Sequence, residues 1–354
     1  MVIKVEKIMS VKSKLKKLYK IIFRIKDFHF ELNNDYPCEL SKLSFKQLVA
    51  IDGIGCSGSS ALTDFLGEFP DLMTVWGGVD LYENPDRGQE NNFETDFFRN
   101  PYSILELEKI CNNNVTRIGN QAIYDFIKTV DENYINGPKK IFHNNNYLSA
   151  TKEFLNSLID FKTKINNADR YVLKNLSIKE YREFAKQYII HCLSVLNTKE
   201  TLVMDNLISI ENADESIIKD YFPENTKLFY VWRDPRDIYA QARLATYEDL
   251  SWVPENPEIF VKWYLKAFKY YYNSSSKNIM CVRFEDLVND YDNTTKKVMD
   301  FLDIEPNADS HIYKQKFFNP DISRKNIGIY KKLENQDAVK YIEEHLSDYI
   351  YNGV

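Results

Sequence analysis

Short apolar runs alternate with helical patterns along most of the chain. Five runs are rich in aliphatic and aromatic side chains and predict buried strands at 48–51, 72–75, 201–205, 227–232 and 279–282. Between them, apolar residues recur at the three- and four-residue spacing of helices. This alternation predicts an α/β fold with a mainly parallel central sheet and helices on both faces.

The middle of the chain, from about 103 to 196, is patterned mostly as helices. The clearest segments are 105–110, 123–130, 148–158 and 181–196. We predict a helical insertion that covers the sheet and shapes a pocket. Further helices are expected at 216–221, from Pro235 onward, at about 256–273, at 294–302 and near 334–347. The expected organisation is a basic extension and connector at 1–46, followed by one α/β domain at 47–354.

A glycine-rich stretch, VAIDGIGCSGSS at 49–60, joins the first strand to a helical pattern. Strand, loop and helix N-terminus together form an anion site, because backbone N–H groups and the helix dipole favour negative charge. From Gly53 the spacing is G-x-x-x-x-G-S-S, the P-loop pattern of P-loop NTPases with Ser59 in place of lysine. The missing lysine argues against ordinary ATP or GTP hydrolysis. The alternative is a glycine-rich turn that binds nothing.

Charge and composition exclude a disordered chain and a general nucleic-acid-binding protein. The chain has 354 residues, 44% hydrophobic and 14% aromatic, so it is not a disordered chain. The net charge of −6 indicates no general nucleic-acid surface. Residues 1–26 carry nine Lys or Arg and one acid, and 10–26 read SVKSKLKKLYKIIFRIK. This segment is an amphipathic helix in peripheral contact with an anionic membrane surface, a solvated helix packed on the body, or a frayed terminus.

The five cysteines form no C-x-x-C pair and are widely spaced. They support neither a disulfide framework nor a zinc site, and a reducing compartment fits best. No apolar run reaches about 18 residues, and the basic start is not followed by a secretory signal. We therefore expect a cytoplasmic protein, either free or peripheral at the inner membrane face.

Three later stretches carry charge at predicted strand ends or in the tail. They are YVWRDPRDIYAQA at 230–242, MCVRFEDL at 280–287 and SRKNIGIYKK at 323–332. Ligands of parallel α/β sheets bind at the carboxyl ends of the strands. The glycine-rich loop, Arg233 and the loop after Val282 are therefore expected at one edge.

Together these motifs resemble those of the PAPS-dependent sulfotransferases (PAPS, 3′-phosphoadenosine 5′-phosphosulfate) of the bacterial carbohydrate type, whose fold is P-loop NTPase-like. GIGCSGSS resembles the family's 5′-phosphosulfate loop, K/R-S-G-T/S-T/S, and 230–242 resembles its 3′-phosphate segment. The stretch 280–287 is similar to its V-R-[YF]-E-D-L strand end, and 323–332 to its closing loop. The resemblance covers about 47–88 and 200–332. It implies PAPS as co-substrate, without a metal.

The resemblance also implies site residues. The expected donor site consists of Gly55, Cys56, Ser57, Gly58, Ser59 and Ser60 for the 5′-phosphosulfate, and of Arg233, Gln241, Arg324, Lys325 and Gly328 for the 3′-phosphate. Arginine suits the second group because its fork binds phosphate bidentately. Relatives keep a base shortly after the first helix, so Asp80 is the first candidate base, Glu83 the second and His143 the third. His191 is expected to be structural.

Two positions depart from the family pattern. Cys56 stands where the family has the Lys or Arg that helps the departing phosphate, so that cation must come from elsewhere, with Arg117, Arg236 and Arg324 as candidates. Otherwise the chain is weakly active, handles a related phosphate donor, or uses Cys56 as a reactive thiol at a helix N-terminus. Gln241 replaces a serine, and the closing loop has Asn326 where the family has its first glycine.

The expected acceptor is a sugar hydroxyl, in a glycan or its lipid-linked precursor. Two other function classes stay open. A sugar or nucleotide kinase on the same loop would need a Mg²⁺-holding pair, for which Ser60 and Asp205 are available, but it lacks the lysine. A non-catalytic member that binds a partner or a membrane is the second.

Overall fold

The computed structural model describes residues 46–75, 104–112, 123, 126, 145–165, 168–196, 199–208, 215–245, 250, 252–268, 276–307 and 317–353. In chain order the strands are β1 Gln47–Gly53, β2 Leu72–Val75, β3 Ile159–Ile165, β4 Ala168–Leu173, β5 Thr201–Asp205, β6 Lys227–Trp232 and β7 Ile279–Arg283. Five of them form one sheet in the order β2-β5-β1-β6-β7, and every neighbouring pair is parallel. The expected mainly parallel sheet is confirmed.

Helices connect and cover these strands. They are α1 Ser59–Gly67, α2 Ile104–Asn112, α3 Asn145–Leu158, α4 Ile178–Leu196, α5 Glu215–Tyr221, α6 Pro235–Leu244, α7 Pro257–Phe268, α8 Phe284–Asn289, α9 Tyr291–Leu302, α10 Pro320–Ser323 and α11 Gln336–His345. Two 3₁₀ turns, Arg324–Asn326 and Ile329–Lys332, lie between α10 and α11.

The central strand β1 divides the interior into two hydrophobic cores. Its side chains alternate across the sheet, as in any strand. Leu48 and Ala50 join a core that includes side chains of α3, α4 and α7, whereas Val49 and Ile51 join a second core with α1, α8 and α9. All four are fully buried. A strand covered on both faces needs a continuous apolar run, which is why this short sequence forms the middle of the sheet.

The insertion between β2 and β5 contains helices α2, α3 and α4, as expected. Phe154 of α3 stacks on Tyr188 of α4 with ring centroids 4.7 Å apart, and the hydroxyls of Thr151 and Tyr188 are 3.1 Å apart. The predicted segment 123–130 lies almost wholly outside the described residues.

The insertion also contains an antiparallel hairpin, β3–β4, that the sequence patterns did not predict. Its first strand, IDFKTKI, nearly alternates apolar and polar residues, two asparagines follow it, and its second strand is ADRYVL. Period-two alternation beside a polar turn is a hairpin signal, but the helical segments on either side obscured it.

No helix in the described part of the chain is both long enough and apolar enough to cross a membrane. The basic segment 10–26 lies outside the described residues.

Candidate nucleotide-binding site at the carboxyl edge of the sheet

The glycine-rich loop closes tightly between β1 and α1. The N–H of Ser57 donates to the carbonyl oxygen of Ile54 across 2.9 Å, which forms a turn. Cys56 has a φ of 65° in this turn, a left-handed conformation that non-glycine residues rarely adopt. Gly58 follows at φ 89° as the N-cap of α1. The loop therefore folds back and leads directly into a helix N-terminus.

Gly53 and Gly58 of the loop lie where a side chain would not fit. A β-carbon on Gly58 would lie 2.4 Å from Cδ2 of Phe284, and one on Gly53 would lie 2.5 Å from the carbonyl oxygen of Val231. The same atom on Gly53 would lie 2.2 Å from Oγ of Ser57. That hydroxyl is buried, and no partner in the described part of the chain bonds it. A buried hydroxyl without a partner is costly, so a ligand oxygen that bonds it would stabilise the loop.

The N-terminus of α1 is suited to an anion. No side chain caps the helix at Gly58, and its first turn contains no acidic residue. The first N–H groups of a helix have no partner within the helix, and the dipole places partial positive charge there. Ser59 and Ser60 are its first two residues, where the sequence predicted a helix N-terminus after the glycine-rich loop.

Arg233 brings the separated motifs together. It follows β6 directly, is only 4% exposed, and donates from Nη1 to the carbonyl oxygen of Cys56 across 3.0 Å. From Nη2 it donates to the carbonyl oxygen of Asn326 in the closing loop. Its guanidinium carbon lies 5.1 Å from the centre of the Phe284 ring, the side chain that covers Gly58. Residues expected at one edge of the sheet are thus in direct contact.

The closing loop is fixed to α6 by a carboxylate. Oδ2 of Asp237 accepts the N–H of Gly328 across 2.8 Å, and Oδ1 accepts the N–H of Tyr330 across 3.1 Å. Gly328 has a φ of 74°, so it supplies the left-handed residue that this turn needs. Burial raises the pKa of Asp237, and Arg233 opposes that shift. The Gly328 amide that we expected at the 3′-phosphate is therefore bonded to protein here.

Of the three substitute cations, Arg236 is held within the protein. Its Nη2 lies 2.8 Å from Oδ2 of Asp234, and its Nη1 lies 3.3 Å from Glu343. Its guanidinium carbon lies 4.1 Å from the ring centre of Tyr330. Two carboxylates already balance its charge, so it is not available to a departing phosphate.

The other two candidates differ in what the structure shows. The side chain of Arg324 is 54% exposed and bonds Oδ1 of Asn289 at 2.9 Å and Asp321 at 3.3 Å. Arg117 lies outside the described residues. Arg324 is therefore the described candidate that can still turn toward a ligand.

Glu285 holds the backbone of Asp234, the residue after Arg233. It was not singled out from the sequence. It is fully buried, its Oε1 accepts the N–H of Asp234 across 2.8 Å, and its Oε2 lies 3.4 Å from Nε of Arg283. Burial is the main cause that raises its pKa to about 7. Glu285 and Asp237 are two of the four acids in the V-R-F-E-D and R-D-P-R-D stretches, and their position within these motifs was the signal that could have identified them.

Of the remaining predicted residues, the structure describes Gln241, Lys325 and His191. Gln241 lies on α6 and Lys325 is exposed on the closing loop. The candidate bases Asp80, Glu83 and His143 lie outside the described residues. His191 lies on α4, with Nδ1 4.0 Å from a carboxylate oxygen of Glu153.

Residues 148–320 match a family model described as a sulfotransferase domain. The match includes Arg233 and the 280–287 stretch. It also includes 148–196, where the sequence motifs showed no resemblance. No curated protein shows a significant sequence match to the chain.

Three solved structures are similar at low identity. The sulfotransferase domain of the Synechococcus PCC 7002 olefin synthase is 12% identical, covering 86% of this chain and 96% of that chain, with a TM-score of 0.37. Sulfotransferase STF1 from Mycobacterium tuberculosis H37Rv is 12% identical, covering 81% and 77%, with a TM-score of 0.36. The sulfotransferase domain from the curacin biosynthetic pathway is 13% identical, covering 87% and 99%, with a TM-score of 0.36.

Proposed function

We propose that this chain, in which residues 148–320 match a sulfotransferase domain model, transfers a sulfuryl group from PAPS to a hydroxyl of a carbohydrate or glycan precursor. One observation supports the donor site most strongly. Arg233 contacts both the phosphate loop, through Cys56, and the closing loop, through Asn326. The arginine expected at the 3′-phosphate therefore joins the loop expected at the 5′-phosphosulfate to the closing loop expected at the 3′-phosphate.

The phosphate loop fits the 5′-phosphosulfate. We propose that the N–H groups of Gly58, Ser59 and Ser60 bind its oxygens at the uncapped start of α1. The buried hydroxyl of Ser57 has no described partner and offers one further donor. The Phe284 ring leaves no room for a β-carbon on Gly58, so the residue at this N-cap must be glycine.

The 3′-phosphate requires a change of partners at Arg233. Both of its Nη atoms bond carbonyl oxygens, and Nε is buried with no partner in the described part of the chain. A phosphate is a stronger acceptor than a carbonyl, and a guanidinium binds it bidentately. We propose that Arg233 turns at least one Nη toward the phosphate and that Arg324 and Lys325 add charge from the exposed closing loop.

The bound donor would supply an activated sulfuryl group. In the transfer, the acceptor oxygen forms a bond to sulfur as the bond from sulfur to the phosphate oxygen breaks. The negative charge left on the bisphosphate falls beside the α1 N-terminus, where N–H dipoles stabilise it. The acceptor proton must go to a base, and Asp80, then Glu83, remain our proposals for that role.

The acceptor class and the cellular location are finer proposals. A basic amphipathic segment at 10–26 suits peripheral contact with an anionic membrane surface and hence a membrane-held glycan precursor. We propose that this segment anchors the enzyme and takes no part in the chemistry.

Calorimetric titration with adenosine 3′,5′-bisphosphate tests the proposal. Wild type should bind it tightly, and Arg233→Ala should lose roughly thirtyfold in affinity, equivalent to about 2 kcal/mol. Lys46→Ala is the matched control, because it removes an exposed cation that pairs with Glu200 and should leave the affinity unchanged. Absence of binding by wild type would overturn the proposal. Preference for ATP with Mg²⁺ would favour the kinase instead.

A further inference from the structure

An exposed tryptophan lies against the phosphate loop. A β-carbon on Gly55 would lie 1.7 Å from Cη2 of Trp252 and 2.6 Å from Cζ3, so the six-membered ring of the indole covers this glycine. Trp252 is nevertheless 52% exposed. Gly55 directly precedes Cys56, the position where the family carries its loop cation. The indole therefore borders the place proposed for the transferred group.

The turn that carries Trp252 is anchored to α6. Arg243 donates from Nη2 to the carbonyl oxygen of Pro254, and the hydroxyl of Tyr239 donates to that of Glu255 across 2.7 Å. Val253 is buried, and its N–H donates to Leu250 across 3.0 Å. The indole is thus held in place before any ligand arrives, which lowers the entropic cost of binding.

A second tryptophan extends this surface. Trp263 of α7 meets Trp252 edge to face, with ring centroids 6.0 Å apart and planes at 63°. Ile259 lies one helical turn before Trp263 and is 57% exposed. A single exposed apolar side chain needs no explanation. Two aromatic side chains in contact beside an anion site, Trp252 and Trp263, are typical of a binding surface.

We propose that Trp252 is the platform on which the acceptor stacks, an inference that rests on the proposed sulfuryl transfer. Its occupant is a hydroxyl-bearing ring with a flat face, either the C–H face of a saturated sugar or an aromatic ring. The loop holds the donor on one side of Gly55 and the indole holds the ring on the other. This arrangement aligns a ring hydroxyl with the donor, the positioning that a two-substrate transfer needs.

The test uses full-length protein saturated with adenosine 3′,5′-bisphosphate. Methyl β-glucopyranoside, phenol and glycerol are titrated in separate arms, by calorimetry and by tryptophan fluorescence. Wild type should bind a ring probe and not glycerol. Trp252→Ala should weaken ring binding by about tenfold, while Trp252→Phe should keep most of it.

Phe161→Ala is the matched control. Phe161 is 53% exposed on β3, so the variant removes an equally exposed aromatic from another element and should bind ring probes as wild type does. Binding of the bisphosphate by Trp252→Ala shows that the variant is folded and that the donor site is intact. Binding of the glucoside supports the proposed sugar acceptor, whereas binding of phenol alone would keep Trp252 as the platform and overturn the carbohydrate acceptor.

Three results would overturn the inference. They are equal ring binding by wild type and Trp252→Ala, equal loss in Phe161→Ala, and no ring binding by a wild type that binds the bisphosphate. Failure of wild type to bind the bisphosphate is a separate result, which removes the proposed function and this inference with it.

Discussion

The guanidinium of Arg233 donates to the carbonyl oxygen of Cys56 across 3.0 Å, although 177 positions separate the two residues. β6 and β1 are neighbouring parallel strands, so the loops that follow them meet at one edge of the sheet. The contact makes Arg233 a link between the glycine-rich loop and the closing loop, because it also bonds Asn326.

Because Arg233 bonds two carbonyl oxygens at once, a lysine cannot replace it. An ammonium is a point charge on a flexible stem and does not span both acceptors in the fork geometry. We expect Arg233→Lys to lower the free energy of unfolding by about 1–3 kcal/mol, since a buried acceptor loses its donor. Urea unfolding measures the effect. Arg324→Lys, at a more exposed arginine, is the control. Equal losses in free energy of unfolding in the two variants would contradict a structural link through Arg233.

Gly58→Ala should strongly destabilise the protein. The residue has φ 89°, and the new methyl group would lie 2.4 Å from the Phe284 ring. The left-handed conformation alone costs about 1–2 kcal/mol for a non-glycine residue, and the steric overlap adds to it. We expect a loss of about 3 kcal/mol or more by urea unfolding.

Gly67→Ala at the other end of α1 provides the comparison. A β-carbon there would lie 3.6 Å from Oγ1 of Thr74, an ordinary contact. Alanine is the better helix former, so this variant should be neutral or more stable by up to about 1 kcal/mol. Similar losses at Gly58 and Gly67 would show that general helix effects, and not the loop geometry, determine the result.

Glu285 should make stability depend on pH near neutrality. Its pKa of about 7 in the folded protein lies above the value of about 4.3 in an unfolded chain. Its contribution is fully present below about pH 4.3 and is lost as pH rises through about 7, because only the folded state keeps the proton in that window. Each pH unit inside the window changes the free energy of unfolding by up to about 1.4 kcal/mol.

Glu285→Gln isolates this contribution. The amide oxygen can still accept the N–H of Asp234 but cannot titrate. Urea unfolding from about pH 5 to about pH 7 should therefore show a smaller decline in the variant than in wild type. Parallel profiles would mean that Glu285 does not titrate in this range.

Cys56→Lys should raise turnover if the sulfotransferase proposal holds. The substitution places a cation where the family has one, and the left-handed φ is no worse for lysine than for cysteine. One lost donor at a developing charge typically costs about 10²–10³ in kcat, so we expect a gain of about tenfold or more. Cys56→Met controls for side-chain length. Equal turnover in the two variants would show that another residue already supplies the cation.

Much of the fold could be predicted because its signals are local. The five sheet strands were predicted within two residues at each end, since buried parallel strands are short continuous apolar runs. The glycine-rich loop between β1 and α1 was identifiable from glycine spacing because the backbone needs that freedom locally, and its phosphate-binding role stays a prediction. The hairpin β3–β4 was missed where alternation was short and helices flanked it. The roles of Asp80 and Glu83 remain predictions.

The sequence was sufficient to predict the five strands of the central sheet and most helices, the glycine-rich loop before α1, and the charged motifs expected at one edge of the sheet. Tertiary structure alone decided which atoms of those motifs meet. Arg233 bonds Cys56 and Asn326, Asp237 fixes Gly328 and Tyr330, and Trp252 covers Gly55. The reason is that periodicity and turn chemistry depend on near neighbours, whereas side-chain contacts between distant segments depend on strand order and on how the whole core packs.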